Sequence, residues 1–477
     1  MLKVKSLKRD KRDTLIEEDS FSVFAETFHG ELLFAGDKDY DEARTIWNAM
    51  IDRKPAVIAR CTGTNDVVKA VDFAREHNLL LSVRGGGHNV AGDAVCDGGL
   101  MIDLSLMDGV YVDPDRRTAR AGPGATLGDL DRQTQLYGLA TPTGIVSETG
   151  LAGLTLGGGF GWLTRKYGFT SDNLLSAQVV TADGKVLQAS EEKNADLFWG
   201  LRGGGGNFGI VTSFEYKLHP VGPGVLGGML VYDMENARSV IRFYRDFVKD
   251  APASLGSAVV MRLAPPAPFI PETLHGKPVF AIVLCYTGDI KEGRHQLQAL
   301  REYGKPLADR ISPKPYLAVQ SMLDKGQPEG LQYYSKSEYL SGLSDEAIDT
   351  TIELSLTMTS PETRVAIMQL GGAMAQIPEM ATAASHRDAE FVFAINNGWK
   401  NPQDNESQIE WTRKFWKAIQ PFSSGGSYVN FLSQDENENR IQAAYGSKEK
   451  YERLVSLKNK YDPTNLFRMN QNIKPGG

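Results

Sequence analysis

Hydrophobic positions in the first half of the chain occur in short runs separated by glycine. Between about residue 55 and residue 220 these runs include AVIAR, LLLSVRG, LMIDLS, SAQVVTADG and IVTSFEYKL, which predict short β-strands. The segment NDVVKAVDFAREHN has apolar residues at helical spacing behind Asn65 and Asp66, which predicts a helix capped by these residues. This region is therefore expected to be an α+β unit with short strands.

The pattern changes between about residue 224 and residue 430, where glycine is sparser and the elements are longer. ENARSVIRFYRDFVKD and ESQIEWTRKFWKAI predict helices, whereas PVFAIVLCYTG, TIELSLTMT (residues 351–359) and FVFAINNGW predict strands. Such alternation predicts a second α+β unit, a sheet with helices on one face. The end of the chain predicts a helix that breaks at Asp462 and Pro463, followed by an anchored, Asn-rich tail.

Composition narrows the classes of partner. The 477 residues are enough for two or three domains. Acidic and basic residues are intermixed at a net charge of -7, which argues against nucleic acid and membrane surfaces as partners. No apolar run reaches the roughly 18 residues that would span a bilayer, and the basic N-terminus lacks the apolar region of a secretory signal. A cytoplasmic protein is expected.

The three cysteines do not indicate a disulfide framework or a metal site. Cys61, Cys96 and Cys285 are far apart and form no CxxC pair. Buried thiols in a reducing compartment are therefore expected, with no metal.

Three glycine-rich loops are the main chemical signal: RGGGHNVAGD, GLAGLTLGGGFGWLTRKYGFTSDN and GGGGNFG. The third contains a formal G-x-G-x-x-G, but a strand follows it where a nicotinamide-binding Rossmann fold requires a helix. The second has no Lys-Ser/Thr after its glycines, so it is not a P-loop. Tight turns in a compact β domain are one interpretation. The favoured one is backbone that approaches a flat or phosphorylated ligand closely.

These motifs also carry a family resemblance. RGGGHNVAG, PTGIVSETGLAGLTLGGGFGWLTRKYGFTSDN and DLFWGLRGGGGNFGIVTSFEYKLHP, in this order, resemble the FAD-binding domain of the vanillyl-alcohol oxidase and p-cresol methylhydroxylase superfamily. The tail YVNFLSQDE...KYDPTNLFRMNQNIKP resembles the C-terminal segment of its berberine-bridge-enzyme-like branch. The resemblance is strong over about residues 50–222 and 425–475. In the middle of the chain it extends only to the general pattern of predicted helices and strands.

The resemblance implies an α+β, two-lobed flavoprotein with a PCMH-type FAD-binding domain. The expected divisions are an N-terminal segment (1–50), the FAD-binding domain (51–222), a substrate-binding domain (223–430) and a C-terminal segment (431–477) that returns to the FAD domain. The family's histidine in R-[SG]-G-G-H is bonded to the flavin 8α carbon and corresponds to His88. The alternative is a histidine that only forms hydrogen bonds within its loop.

Part of the branch has a second covalent link, from a cysteine that would fall at about Val146. Because no cysteine lies there, a single covalent bond to FAD through His88 is expected. The residues expected to contact FAD are Arg84, Gly85, Gly86, Gly87, His88, Asn89, Gly92, Val146, Thr149, Gly150, Gly153, Gly157, Gly209, Val211, Asn470 and Asn472. For the two tail asparagines, helix and turn capping is the alternative.

The family's Y-x-N motif corresponds to Tyr428 and Asn430, which are the expected catalytic residues. Tyr428 would orient or deprotonate the substrate O–H or N–H, and the alternative is a buried strand aromatic. Weaker candidates for the substrate wall are Lys336, Asn396, Asn397 and Trp399. Thr149 lies where the family tunes oxygen access.

The expected function is an FAD-dependent oxidase of a C–OH or C–NH centre in a small organic molecule, with oxygen reduced to hydrogen peroxide. A dehydrogenase with another acceptor and a non-catalytic flavin-binding protein remain alternatives. The substrate and the oligomeric state do not follow from the sequence.

Overall fold

The first glycine loop leaves the edge of a small, mostly parallel sheet. The computed structural model describes residues 3–8 and 13–476. This sheet has the strand order Glu31–Leu33, Val57–Arg60, Leu100–Asp103, Leu81–Arg84, and its last three strands are parallel. Helix Thr64–Glu76 connects two of them. Arg84 therefore ends a strand at the carboxyl edge, where ligands of open parallel sheets are commonly bound.

A second sheet in the same lobe is antiparallel. Its strand order is Val186–Ser190, Leu174–Val180, Ile210–Lys217, Thr118–Ala121, Val110–Asp113. The third glycine loop runs directly into its central strand at Ile210. These two sheets form the first lobe.

The second lobe is built on one eight-stranded antiparallel sheet. Its strands are, in order, Ala308–Asp309, Gly224–Asp233, Pro278–Tyr286, Leu255–Leu263, Arg364–Gln369, Phe391–Trp399 and Gln332–Leu340, with Ser312–Pro315 paired to Gly224–Asp233. Helices Ala237–Lys249, Asp345–Ser355 and Asn405–Ile419 cover one face through an apolar core. The other face packs on Trp162 and Phe169 of the first lobe. The predicted α+β architecture, with a sheet that has helices on one face, is confirmed.

Smaller elements complete the fold. The remaining strands are Lys3–Leu7 with Asp13–Glu17, and Leu139–Ala140 with His219–Pro220. The remaining α-helices are Glu18–Thr27, Tyr40–Arg44, Leu127–Gln135, Leu151–Leu156, Thr164–Tyr167, Ala195–Leu201, Ile290–Gln296, Gln298–Glu302, Tyr316–Gln320, Ala373–Gln376, Glu438–Ala444 and Lys448–Tyr461. None of the helices in the described ranges has the length and apolar character needed to cross a bilayer.

The C-terminal tail is held in place by buried polar contacts. The Asp462 carboxylate accepts the backbone N–H groups of Leu466 and Phe467 and pairs with the fully buried Lys458 ammonium at 2.7 Å. The side chain of Asn207, in the third glycine loop, accepts the N–H of Ile473. The tail is therefore fixed beside that loop.

Two local predictions are wrong. Residues 351–359 do not form a strand, because helix Asp345–Ser355 begins after Ser344 and places Ile348 and Ile352 one turn apart in the core. The predicted caps Asn65 and Asp66 lie inside helix Thr64–Glu76, which begins after Gly63. The Asp66 carboxylate instead accepts the backbone N–H groups of Thr62 and His29.

Candidate active site

One cavity of about 350 Å³ lies between the two lobes, bordered by all three glycine loops, the tail and the long sheet. The two glycine loops that follow Arg84 and Thr149 meet at its wall. A Cβ built on Gly150 would lie 2.6 Å from the backbone nitrogen of Gly86, and one on Gly86 would lie equally close to the nitrogen of Gly150. Glycine is required at both positions because the two backbones touch.

The imidazole of His88 lies at the end of a stack of three rings. Its ring centroid is 4.4 Å from that of Trp47, with 16° between the planes, and Trp47 stacks on Tyr333 at 3.7 Å and 12°. The Trp47 indole N–H donates to the carbonyl of Gln327 at 3.1 Å. The histidine ring is thus oriented by the N-terminal part of the chain and by the long sheet.

The same histidine is poised as a neutral nucleophile. Burial lowers the pKa of His88 to about 4, so the ring is uncharged at neutral pH. Its buried Nε2 has no hydrogen-bond partner among the described residues. An imidazole nitrogen in this state has a free lone pair or N–H to offer a ligand in the cavity.

A tyrosine and an asparagine, Tyr428 and Asn430, also line the cavity. The Tyr428 hydroxyl oxygen accepts hydrogen bonds from the Asn430 side-chain amide at 2.8 Å and from the Gly159 backbone N–H at 3.2 Å. Burial raises the pKa of Tyr428 to about 12, although these two donors oppose the shift. The phenol is therefore protonated at neutral pH, and its own O–H is available to a group in the cavity.

Comparison with known proteins identifies the family. Residues 55–190 match the model of an FAD binding domain, and residues 427–474 match the model described as berberine and berberine like. An FAD-linked oxidoreductase of Dictyostelium discoideum is 31% identical over 457 residues, which are 95% of this chain and 96% of the relative. The chain belongs to the berberine-bridge-enzyme-like family of FAD-linked oxidoreductases.

Two further relatives agree with this assignment. The (R)-6-hydroxynicotine oxidase of Paenarthrobacter nicotinovorans is 30% identical over 471 residues, covering 94% of this chain and 98% of the relative. The crystal structure of 6-hydroxy-D-nicotine oxidase from Arthrobacter nicotinovorans superposes with a TM-score of 0.85 at 28% identity, covering 94% of this chain and 98% of that one. This chain is therefore an FAD-dependent oxidoreductase.

The cavity of this FAD-dependent oxidoreductase fits the cofactor on physical grounds. Three buried side-chain polar atoms of residues that line the cavity have no partner in the part of the chain that the structure describes: His88 Nε2, Asn89 Oδ1 and Asn470 Oδ1. Burying polar atoms without partners is costly. Gly153 and Gly206 line the cavity, and a Cβ on either would meet no described atom within 4 Å. Unpaired polar groups beside open backbone suit a large polar ligand such as FAD.

Most of the residues predicted to contact FAD line the cavity. They are Gly85, Gly86, Gly87, His88, Asn89, Val146, Thr149, Gly150, Gly153, Gly209, Val211 and Asn470, together with the predicted catalytic pair Tyr428 and Asn430. Val146 is a buried apolar residue of this wall.

Four predicted contacts lie behind the cavity wall. Arg84 donates a hydrogen bond to the carbonyl of Ala43, and the carbonyl of Gly92 accepts one from Arg53. A Cβ on Gly157 would lie 2.5 Å from Asn430 Cγ, so this glycine makes room for the Asn430 side chain. Asn472 lies outside the cavity lining, and its buried Oδ1 has no hydrogen-bond partner among the described residues. These residues support the wall.

Strand alternation separates the predicted substrate-wall residues. Asn396 faces the cavity and accepts a hydrogen bond from the Ser335 hydroxyl at 3.1 Å. The next residue, Asn397, points to the helix layer and donates to Gln408 and Thr412. Trp399 lies on that same face and donates to Asn405. Asn397 and Trp399 are therefore part of the scaffold.

Lys336 is also part of the scaffold. Its ammonium pairs with Glu436 at 2.6 Å and Asp435 at 3.3 Å, and its side chain is only 3% exposed. Like Asn397, it lies outside the cavity lining.

Sequence reasoning missed several lining residues: Trp47, Asp93, Phe160, Gln327, Ser335 and Tyr445. Burial raises the pKa of Asp93 to about 6 against the lowering effect of Arg53. Asp93 is the last residue of the first loop, so its proximity to His88 in the sequence could have identified it. Trp47 and Gln327 lie in segments without a motif, and only the fold brings them to the site.

Proposed function

We propose that this protein is an oxidase that removes two electrons from a C–OH or C–NH centre of a small organic molecule and passes them to oxygen, giving hydrogen peroxide. The supporting observation is that His88, with its unpartnered ring nitrogen, and the hydrogen-bonded Tyr428–Asn430 pair line the same cavity. A 30% identical relative is named as an oxidase of 6-hydroxynicotine. Hydride transfer from the substrate carbon to flavin N5 is the proposed chemistry.

His88 is the proposed single covalent attachment point for FAD. Its neutral imidazole, held by Trp47, has the free nitrogen that bond formation requires. Val146 occupies the position where a second, cysteine-based link would need sulfur, so one bond is proposed. When bound, FAD supplies the two-electron acceptor.

Tyr428 is the proposed partner of the reacting substrate O–H or N–H. Because the pKa of Tyr428 is raised to about 12, a standing phenolate is disfavoured at neutral pH. Tyr428 would therefore bind and orient the substrate heteroatom through its own O–H, and only the small ionised fraction of the phenol would accept the substrate proton as the hydride leaves. Asn430 and the Gly159 N–H donate to the phenol oxygen and would stabilise the negative charge of that ionised form.

Oxygen uptake and peroxide formation with a panel of alcohols, amines and sugars test this function. Peroxide produced with any substrate supports the oxidase. Bleaching of the flavin without peroxide would instead identify a dehydrogenase with another acceptor. A flavin that no substrate reduces would identify a non-catalytic flavin-binding protein.

The attachment is tested by acid denaturation. Colour that stays with the precipitated protein, and that a His88→Ala variant releases, supports a covalent bond at His88. Release of all the colour from the unaltered protein would rule that bond out.

A further inference from the structure

The face of the long sheet that looks toward the first lobe contains a patch of small, partly buried side chains. Val260 pairs with both Ala281 and Ala366 on the neighbouring strands, and all three are half-buried. The next row of the same face, which includes Ala258 and Met368, is buried in a core with Trp162. Val260 and Ala281 pack against the border of this core, and the patch keeps part of its surface accessible.

Two arginines border the patch at one end. Arg364 pairs in register with Asn396, which lines the cavity, and Ala366 pairs with Ala394 two residues along. Arg262 lies two residues beyond Val260 on the adjacent strand. Because side chains two apart on a strand share a face, both arginines lie on the patch side, in one row with Asn396.

The guanidinium of Arg364 is buried without full pairing. Its side chain is 7% exposed, and one nitrogen donates to the carbonyls of Pro361 and Thr363. The other terminal nitrogen, Nη2, has no hydrogen-bond partner among the described residues, and its ion pair with Glu362 spans 4.0 Å. A buried guanidinium nitrogen without an acceptor is costly unless a ligand supplies one.

The charges around this site do not balance. Burial, with the neighbouring Arg262 cation, lowers the pKa of Arg364 to about 9, and burial also lowers the pKa of Arg262. Glu362 is the acid that opposes both, and it is shared with Lys400 at 3.8 Å. Two guanidinium groups remain charged at neutral pH beside one shared carboxylate, which leaves the site positive.

Arg364 is adjacent to the cavity wall. Its Nε lies 3.5 Å from the position of a Cβ on Gly326, and the next residue, Gln327, lines the cavity. The preceding Asp324 accepts hydrogen bonds from the backbone N–H and hydroxyl of Ser147, close to the second glycine loop. The arginine row is therefore connected to the cofactor cavity on two sides, through Asn396 and through Gln327.

We propose that Arg364 and Arg262 form an anion subsite that binds a carboxylate on the substrate, while the small apolar side chains beside them contact the rest of the molecule. The inference rests on the proposed function, because it assigns a substrate class to that reaction; both arginines lie beside the cavity, outside its lining, in one row with the lining residue Asn396. Guanidinium groups match carboxylate geometry through paired N–H donors. The alanines and Val260 leave room for a flat apolar group.

Calorimetric titration of the FAD-loaded protein with 3-phenylpropionate and with its neutral amide tests the subsite. The acid is expected to bind at least tenfold more tightly than the amide. Arg364→Gln and Arg262→Gln are each expected to weaken binding of the acid about tenfold and to change binding of the amide less than twofold. Arg238→Gln, on the exposed side of the helix layer, is the matched control and should change neither.

The outcomes are separable. Equal binding of acid and amide by the unaltered protein, or acid binding that survives both substitutions, would overturn the subsite. Should Arg364→Gln lose FAD or unfold at a lower temperature, the effect of Arg262→Gln, at a half-exposed position, on binding of the acid decides whether the subsite exists. Turnover of neutral substrates with no preference for acids would overturn the subsite and leave the oxidase standing. Arginine-dependent acid binding without any turnover would support the subsite and overturn the proposed oxidase function.

Discussion

The backbones of Gly86 and Gly150 are in direct contact, so that the first and second glycine loops share one wall of the cavity. Gly150 has no space for a side chain, because its Cβ would lie 2.6 Å from the nitrogen of Gly86. Gly153 lies three residues later, in helix Leu151–Leu156, and a Cβ on it would have no described atom within 4 Å. The two glycines therefore differ: Gly150 allows two backbones to pack together, whereas Gly153 lies beside open space in the cavity.

Gly150→Ala is expected to lower the free energy of unfolding by about 1–3 kcal/mol, the usual cost of overpacking. Gly153→Ala is the control: it should leave unfolding unchanged or slightly improved, because alanine favours helix, while weakening retention of FAD. Thermal unfolding and flavin content of both variants provide the measurement. Equal stability of Gly150→Ala and the unaltered protein would contradict the packing role.

Trp47→Leu is expected to reduce the fraction of covalently bound flavin to less than half, because the His88 ring loses the surface that orients it. In-gel flavin fluorescence of denatured protein measures this fraction, and Trp47→Phe should restore most of it. Tyr167→Leu removes a comparable stack on His219, at 3.8 Å, away from the cavity lining, and should have no effect. An unchanged flavin fraction in Trp47→Leu would show that the stack does not position the histidine.

Tyr428→Phe retains the ring that packs on Phe160 and Phe431 but removes the oxygen that accepts two hydrogen bonds. We expect kcat/KM to fall about 100-fold on the substrate found by the screen, with FAD content preserved. Tyr244→Phe removes a buried hydroxyl bonded to Ser257 in the second lobe and serves as control. Activity within threefold of the unaltered enzyme would exclude Tyr428 from the proton-transfer step.

The buried Asp131 makes stability depend on pH. Burial raises the pKa of Asp131 to about 7, although hydrogen bonds from Gln320 and Thr143 oppose the shift. The folded chain then binds more protons than the unfolded chain between about pH 4 and pH 7, so this group's contribution to stability falls as pH rises through that window.

Asp131→Asn is expected to remove this dependence and to raise the free energy of unfolding at pH 8 by about 2 kcal/mol. At pH 4 the two proteins should differ little. Urea unfolding at pH 4, 6 and 8 measures the effect, with the exposed Asp115→Asn as control. A difference between Asp131→Asn and the unaltered protein that is constant across pH would refute the assignment.

The cofactor loops could be predicted from the sequence because their chemistry is local. A glycine triplet followed by histidine at the end of a strand is a signal contained in one short segment, so it can be read without knowing the fold. His88, Gly150 and Tyr428, all predicted from such segments, line one cavity. The helices at residues 237–249 and 405–419 could be predicted for the same reason, since each has its own apolar stripe.

The strand Gln332–Leu340 could not be predicted in this way. Every one of its residues is buried, including Lys336 and Glu338, so no alternation of polar and apolar positions marks it. The partners of these charges, Glu436 and Arg440, lie about a hundred residues away along the chain. Likewise, Arg262 and Arg364 are unremarkable alone and become neighbours only through the register of the sheet.

The stack of His88, Trp47 and Tyr333 draws its rings from three distant parts of the chain. It can form only after the N-terminal part, the first glycine loop and the long sheet have come together. If the imidazole reacts with its cofactor only in that arrangement, the covalent bond is made once, late, and in correctly assembled molecules alone. Colour that survives denaturation would then be a permanent record that an individual molecule had completed its folding.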